Sequence, residues 1–174
     1  MSPADGPGHR SARRSASEAK RGGDKLGRAK AALSRASAKM TIASSYDDAR
    51  EVQRLIREEV EKAGFDPDSQ FAIKLALEEA LINAIKHGNK LDRTKHVHVE
   101  WKITPQVAEI IIEDEGPGFN RAKVPDPTSE PNLEKHTGRG LLLIETYMNN
   151  VEYSKGGRRV RLVKVNQGRG RESA

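Results

Sequence analysis

Residues 75–89 read LALEEALINAIKHGN. Apolar positions at Leu75, Leu77, Leu81, Ile82 and Ile85 recur at helical spacing, and Gly88 and Asn89 follow as stop signals. Upstream, Asp66 and Pro67 form an N-cap and first-position pair, so the spacing predicts one helix from there to about His87. Phe71 and Ile73 extend its apolar surface, which predicts burial around much of its circumference. Against that background Glu79, Asn83 and Lys86 stand at i, i+4 and i+7, within an arc of about 60°. Two readings of this polar stripe stay open: a solvated face with an ordinary Glu79 to Asn83 contact, or a site for a hydrated cation and phosphates. In the second, a carboxylate serves as base or water-orienter, a carboxamide oxygen as ligand to Mg²⁺, and an ammonium as phosphate neutraliser. Glu78 lies about 100° away around the helix and reads as a surface carboxylate.

Working outward, residues 41–45 (TIASS) read as a short edge strand, and Asp47 to Ala63 as a helix closed by Gly64. Beyond the central helix, His96 to Thr104 and Val107 to Asp114 alternate as strands around a turn at Pro105 and Gln106. Gly138 to Asn149 reads as a third helix, and Val151 to Ser154 with Arg159 to Val165 as a last hairpin. Helices alternating with hairpins predict an α+β fold: a two-layer sandwich of a mixed, mostly antiparallel sheet with three helices on one face.

Two further patches carry chemistry. A strand ending at Asp114 runs into Gly116 and Gly118, so backbone can approach a flat ligand while the carboxylate accepts from an exocyclic amine. Gly138, Arg139 and Gly140 open the third helix, whose free N–H groups and dipole favour an anion. Residues 119–137 between them hold Pro125, Pro127 and Pro131 and read as a long functional loop. His96 and His98 share a strand face without a third metal ligand and read as exposed strand histidines.

Composition sets the outer limits. The 174 residues include no cysteine, which excludes a disulfide scaffold and thiolate chemistry, and no apolar run approaches the roughly 20 residues of a membrane span. The net charge of +6 is uneven: residues 1–40 carry +7 and the rest −1. That tail lacks Val, Ile and aromatic residues and reads as disordered, with translation from Met40 as an alternative start. The expected division is therefore a basic tail over 1–40, one domain over 41–166 and a disordered end over 167–174.

Taken together, the patches resemble the GHKL (Bergerat-fold) ATP-binding superfamily, and within it the small bacterial anti-sigma factor serine kinases. LALEEALINAIKHGN resembles their N box; DEGPGF (114–119) and TGRGLLLI (137–144) resemble their two glycine boxes. The resemblance covers about residues 41–165. It implies Glu79 as catalytic carboxylate, Asn83 as Mg²⁺ ligand, and Asp114 as adenine-amine acceptor beside Gly116 and Gly118. It also implies Gly138, Arg139 and Gly140 near the phosphates of ATP, residues 119–137 as a lid, and Lys86 as a further phosphate contact. One departure stands out: a threonine often follows the last glycine turn in this superfamily, whereas Gly157 is followed here by Arg158 and Arg159.

The function so implied is a cytoplasmic ATP/Mg²⁺-dependent protein serine kinase that phosphorylates an anti-sigma-factor antagonist and sequesters a sigma factor. Homodimerisation is a further implication. The alternative is a non-catalytic ATP-binding module for partner switching. A histidine-kinase catalytic domain lacks an upstream phosphoacceptor helix, His9 being the only histidine before the N box, and gyrase-, MutL- or chaperone-type ATPases need transducer domains. Nucleic-acid binding would rest on the basic tail alone.

Overall fold

The computed structural model describes residues 37–120 and 139–168. Five strands form one sheet: β1 (Ala38–Ala43), β2 (His96–Ile103), β3 (Val107–Asp114), β4 (Asn150–Ser154) and β5 (Arg159–Val165). Their order is β1-β2-β3-β5-β4, and every described pairing is antiparallel, so the expected mixed character is absent among the described strands. The last hairpin folds back to lay β5 beside β3, which brings residue 158 next to Asp114 across the sheet.

Period-2 alternation explains the two faces. Val97, Val99 and Trp101 of β2, Ala108, Ile110 and Ile112 of β3, and Val160 and Leu162 of β5 point into the core. The opposite face is lined with ion pairs, including Lys39 with Glu100 at 3.2 Å, Lys155 with Glu113 at 2.6 Å, and Arg161 with Glu109.

Helices α1 (Tyr46–Lys62), α2 (Pro67–Ile82) and α3 (Arg139–Tyr147) cover the apolar face. Val52, Ile56 and Val60 of α1, Ile73, Leu77 and Leu81 of α2, and Leu141 and Ile144 of α3 are buried, giving the α+β two-layer architecture expected. The start of α2 is held as its cap residues require. Asp66 Oδ1 accepts the Ser69 N–H at 2.9 Å, and the Gln167 and Gly168 N–H groups donate to Asp66 Oδ2 at 3.2 Å each. The chain is therefore bonded to the domain as far as Gly168, beyond the expected domain end, and β1 begins at Ala38 rather than at residue 41.

The central helix differs from its sequence reading in two respects: Phe71, expected in its buried apolar surface, is 54% exposed and meets Tyr147 edge to face at 5.9 Å, and the last turn is not α-helical. At Asn83 it widens into a π-helical turn, Asn83–Gly88, with the Asn89 N–H reaching back to the Ala84 carbonyl at 2.8 Å. One extra residue in a turn delays each later position by about 100° relative to a continued α-helix. What holds this turn is Asn89, fully buried. Its Nδ2 donates to Ser44 Oγ at 2.6 Å and to the His96 carbonyl at 2.8 Å, while its Oδ1 accepts the Glu115 N–H at 2.8 Å. Lys90 and Leu91 follow with φ of 59° and 61°, an unusual pair of left-handed non-glycine residues that turns the chain toward β2.

Candidate functional site

Between α2 with its π turn, the ends of β3 and β5, and the start of α3 lies a cavity of about 480 Å³. Its wall brings together Glu79, Asn83, Lys86, Asp114, Gly118 and Gly140, side chains and turns separated by up to 61 positions in sequence. Gly116 stands behind Asp114, its N–H donating to Asp114 Oδ1 at 2.8 Å. Arg139 is exposed at the first position of α3 and does not line the cavity; Gly138 lies outside the described residues, as does most of the expected lid.

Two glycine contacts define the ends of the cavity. At one end a Cβ on Gly88 would stand 2.4 Å from Asp114 Cγ, and a Cβ on Gly116 would stand 2.1 Å from the Gly88 carbonyl oxygen. The Asp114 carboxylate is thus wedged between two backbone segments with little room to turn. At the other end a Cβ on Gly140 would stand 2.4 Å from Glu79 Oε2, so the first turn of α3 lies directly against that carboxylate. Gly88 and Glu79 are nine residues apart on one helical element, about 13 Å along its axis. The cavity therefore has a single buried acceptor at one end, and a carboxylate, a carboxamide and a helix N-terminus at the other, with Ile112, Leu141, Ile144 and Val160 between them.

Burial shapes the electrostatics. It pushes the Asp114 carboxyl above its usual value, against the Gly116 N–H bond and the nearby Arg158 charge, which lower it. Glu79 is raised too, chiefly by burial and further by the charge of Glu78. The His87 imidazole is lowered by burial, with Lys86 and Lys90 adding to the effect. The Asn83 Nδ2 is buried at the cavity wall with no hydrogen-bond partner among the described residues.

Several wall residues escape a reading by motif. Tyr153 and Phe119 pack edge to face at 5.7 Å, and the Phe119 N–H donates to the Gly156 carbonyl at 2.9 Å. Lys90 and Arg158 also line the cavity. No periodic signal marks these four: Phe119, Tyr153 and Arg158 meet only when the last hairpin closes on β3, and Lys90 is placed by the left-handed turn after Asn89; the available signs were the end of DEGPGF and the arginine after Gly157. His96 and His98 do lie exposed on the outer sheet face. There they share Glu115, with the His96 backbone N–H to Oε2 at 2.9 Å and His98 Nε2 to Oε1 at 3.1 Å, and no group of three metal-ligating side chains occurs among the described residues.

An antiparallel sheet roofed by three helices, with a buried carboxylate at one end of the cleft and a polar helix stripe at the other, is the architecture of a nucleotide-binding α+β domain. The chain belongs to the histidine kinase-like ATPase domain family, whose model matches residues 42–164. Membership assigns ATP binding to the chain. Among similar proteins, the anti-sigma F factor of Clostridium perfringens (strain SM101 / Type A) is 37% identical over 95 residues, covering 52% of this chain and 67% of that protein. The serine-protein kinase RsbW of Bacillus licheniformis is 34% identical over 96 residues, covering 52% of this chain and 60% of that protein. In fold, the chain resembles the crystal structure of the RsbU and RsbW domains of Rv1364c from Mycobacterium tuberculosis, with a TM-score of 0.52 and 17% identity over 76% of this chain and 32% of that one. These relatives place the chain in the anti-sigma kinase branch of the family.

Proposed function

We propose that the chain is an ATP-dependent protein serine kinase that acts as an anti-sigma factor, phosphorylating a protein antagonist and sequestering a sigma factor. The observation that carries this reading is the convergence of Glu79, Asn83 and Gly140 at one end of the cavity while Asp114 closes the other. The names of the similar anti-sigma F factors and of the serine-protein kinase RsbW support the partner chemistry.

In this reading Asp114 accepts the exocyclic amine of the base. Its position between Gly88 and Gly116 favours a flat group that brings its own N–H to the free oxygen. The N–H groups at the start of α3, beside Gly140, and the Lys86 ammonium hold the phosphates. Gly138 and Arg139 belong to the same turn in the sequence reading. The wall near Asn83 suits Mg²⁺: this ion keeps most of its waters and needs only one or two protein oxygens, and the Asn83 carboxamide offers one while its Nδ2 stays unpartnered. Bound there, Mg²⁺ would neutralise charge on the transferring phosphoryl group. Glu79 takes the proton of the attacking serine hydroxyl, and burial raises its affinity for that proton.

The test is incubation with γ-labelled ATP, Mg²⁺ and antagonist proteins co-purified from the native host. Label on a serine of the antagonist, lost in Glu79→Gln, is the expected result. ATP bound without transfer to any co-purifying protein would instead leave the non-catalytic module, and absence of ATP binding by calorimetry would remove the reading altogether.

A further inference from the structure

Arg158 occupies a position that the backbone fixes closely. The Asp114 N–H donates to the Arg158 carbonyl at 3.0 Å, extending the β3 to β5 ladder one step beyond the Glu113 and Arg159 pair. Gly156 and Gly157, at φ of 67° and 89°, carry the chain over Gly118, where a Cβ would stand 2.1 Å from the Gly156 oxygen and 3.2 Å from Arg158 Cγ. The aliphatic arm of Arg158 therefore crosses the Gly118 turn on the cavity wall, at the Asp114 end. Its Nε donates to the Lys155 carbonyl at 3.2 Å, which anchors the guanidinium at the mouth. The two terminal NH₂ groups have no partner among the described residues.

A guanidinium held this way is a planar cation with two free donors beside a carboxylate acceptor. The matching ligand edge is an aromatic heterocycle with an amine donor next to a ring-nitrogen acceptor. The start of α3, assigned to the phosphates, lies against Glu79 at the far end of the cavity, so a role for Arg158 toward the triphosphate is disfavoured by distance. We propose that Arg158 is a base-reading residue: its guanidinium lies at the edge of the purine held by Asp114, which it faces across the β3 to β5 ladder, and donates in the ring plane to a ring nitrogen. This inference rests on the ATP reading of the cavity.

The experiment is calorimetry on the full chain and on Arg158→Ala, Arg158→Lys and Arg158→Thr, with ATP plus Mg²⁺, paired with ligand-detected NMR titration of adenosine to millimolar concentration. The expected result is a loss of about 5- to 10-fold for Arg158→Ala with both ligands, because a contact to the base does not depend on the phosphates. Arg158→Lys keeps the charge and loses the flat fork, so its affinity should stay close to that of Arg158→Ala. Thermal unfolding should be unchanged, since the hydrogen bond to Asp114 uses the backbone carbonyl. A loss confined to ATP, full recovery by Arg158→Lys, or no loss with either ligand would overturn the proposal. Wild type failing to bind ATP would instead refute the ATP reading on which it rests, and is distinguishable because the variants are then not needed to see it.

Discussion

Replacing Gly88 by alanine is a small change with a large expected effect. Gly88 has no left-handed backbone, so alanine is conformationally allowed there and the cost is steric. The new Cβ would stand 2.4 Å from Asp114 Cγ and 2.6 Å from each carboxylate oxygen, about 1 Å short of the 3.4 Å at which ordinary contact begins. The Asp114 side chain can yield only toward the cavity and at the cost of its backbone bond: Gly116 stands behind it, and its Oδ1 holds the Gly116 N–H at 2.8 Å. Overpacking of this kind costs about 1–3 kcal/mol, and swinging the carboxylate away gives up a charge-assisted bond worth about 1.5–3 kcal/mol. Part is returned because alanine favours helix over glycine by about 1 kcal/mol. The net expectation is a stability loss of roughly 1.5–5 kcal/mol in denaturant unfolding. ATP affinity should fall about 10- to 100-fold, since the displaced group is the proposed acceptor for the base. In an Asp114→Ala background the methyl has room, so the two stability costs should fail to add by at least about 1 kcal/mol. A Gly88→Ala protein that binds ATP within twofold of wild type, or strict additivity in the double variant, would refute the packing argument.

Glu79→Gln should bind ATP and lose phosphotransfer. Because burial raises the Glu79 carboxyl above its usual 4.5, the wild type loses stability as pH rises from there through the raised value, and the glutamine variant does not; a melting series from pH 4 to 7 should show their difference growing in favour of the variant. Asp66 shows the opposite sign. Its carboxyl is lowered to about 2 from 3.8, chiefly by the hydrogen bond to Ser69, so its stabilisation is complete above 3.8 and is lost as pH falls through about 2. Asp66→Ala should cost about 1–2 kcal/mol at neutral pH, a gap that closes in acid unfolding curves. Asn89→Ala strands the Ser44 hydroxyl, the His96 carbonyl and the Glu115 N–H, and should cost about 2–4 kcal/mol in denaturant melts with a matching rise in hydrogen exchange at Glu115.

Much of the architecture follows from period and punctuation alone. Alternation placed Val97, Val99 and Trp101 on one face of β2, the Asp66 and Pro67 pair placed the start of α2, and three sequence patches named six residues that share one cavity wall. These are local properties: a hydrophobic period or a cap depends on neighbours within a few positions. The π turn was invisible for the opposite reason. Residues 83–88 have an unexceptional helical pattern, and the extra residue is held by Asn89 bonding to Ser44, His96 and Glu115, partners as much as 45 positions away. The contact of Gly88 with Asp114 likewise exists only once the helical layer packs on β3, and the closure of Tyr153 on Phe119 and the arm of Arg158 across Gly118 only once β5 has paired with β3. The residues that share the cavity wall could thus be read from the chain, because each sits in a local motif. How closely their surroundings hold them could not, because that depends on backbone segments brought together by the order of the strands.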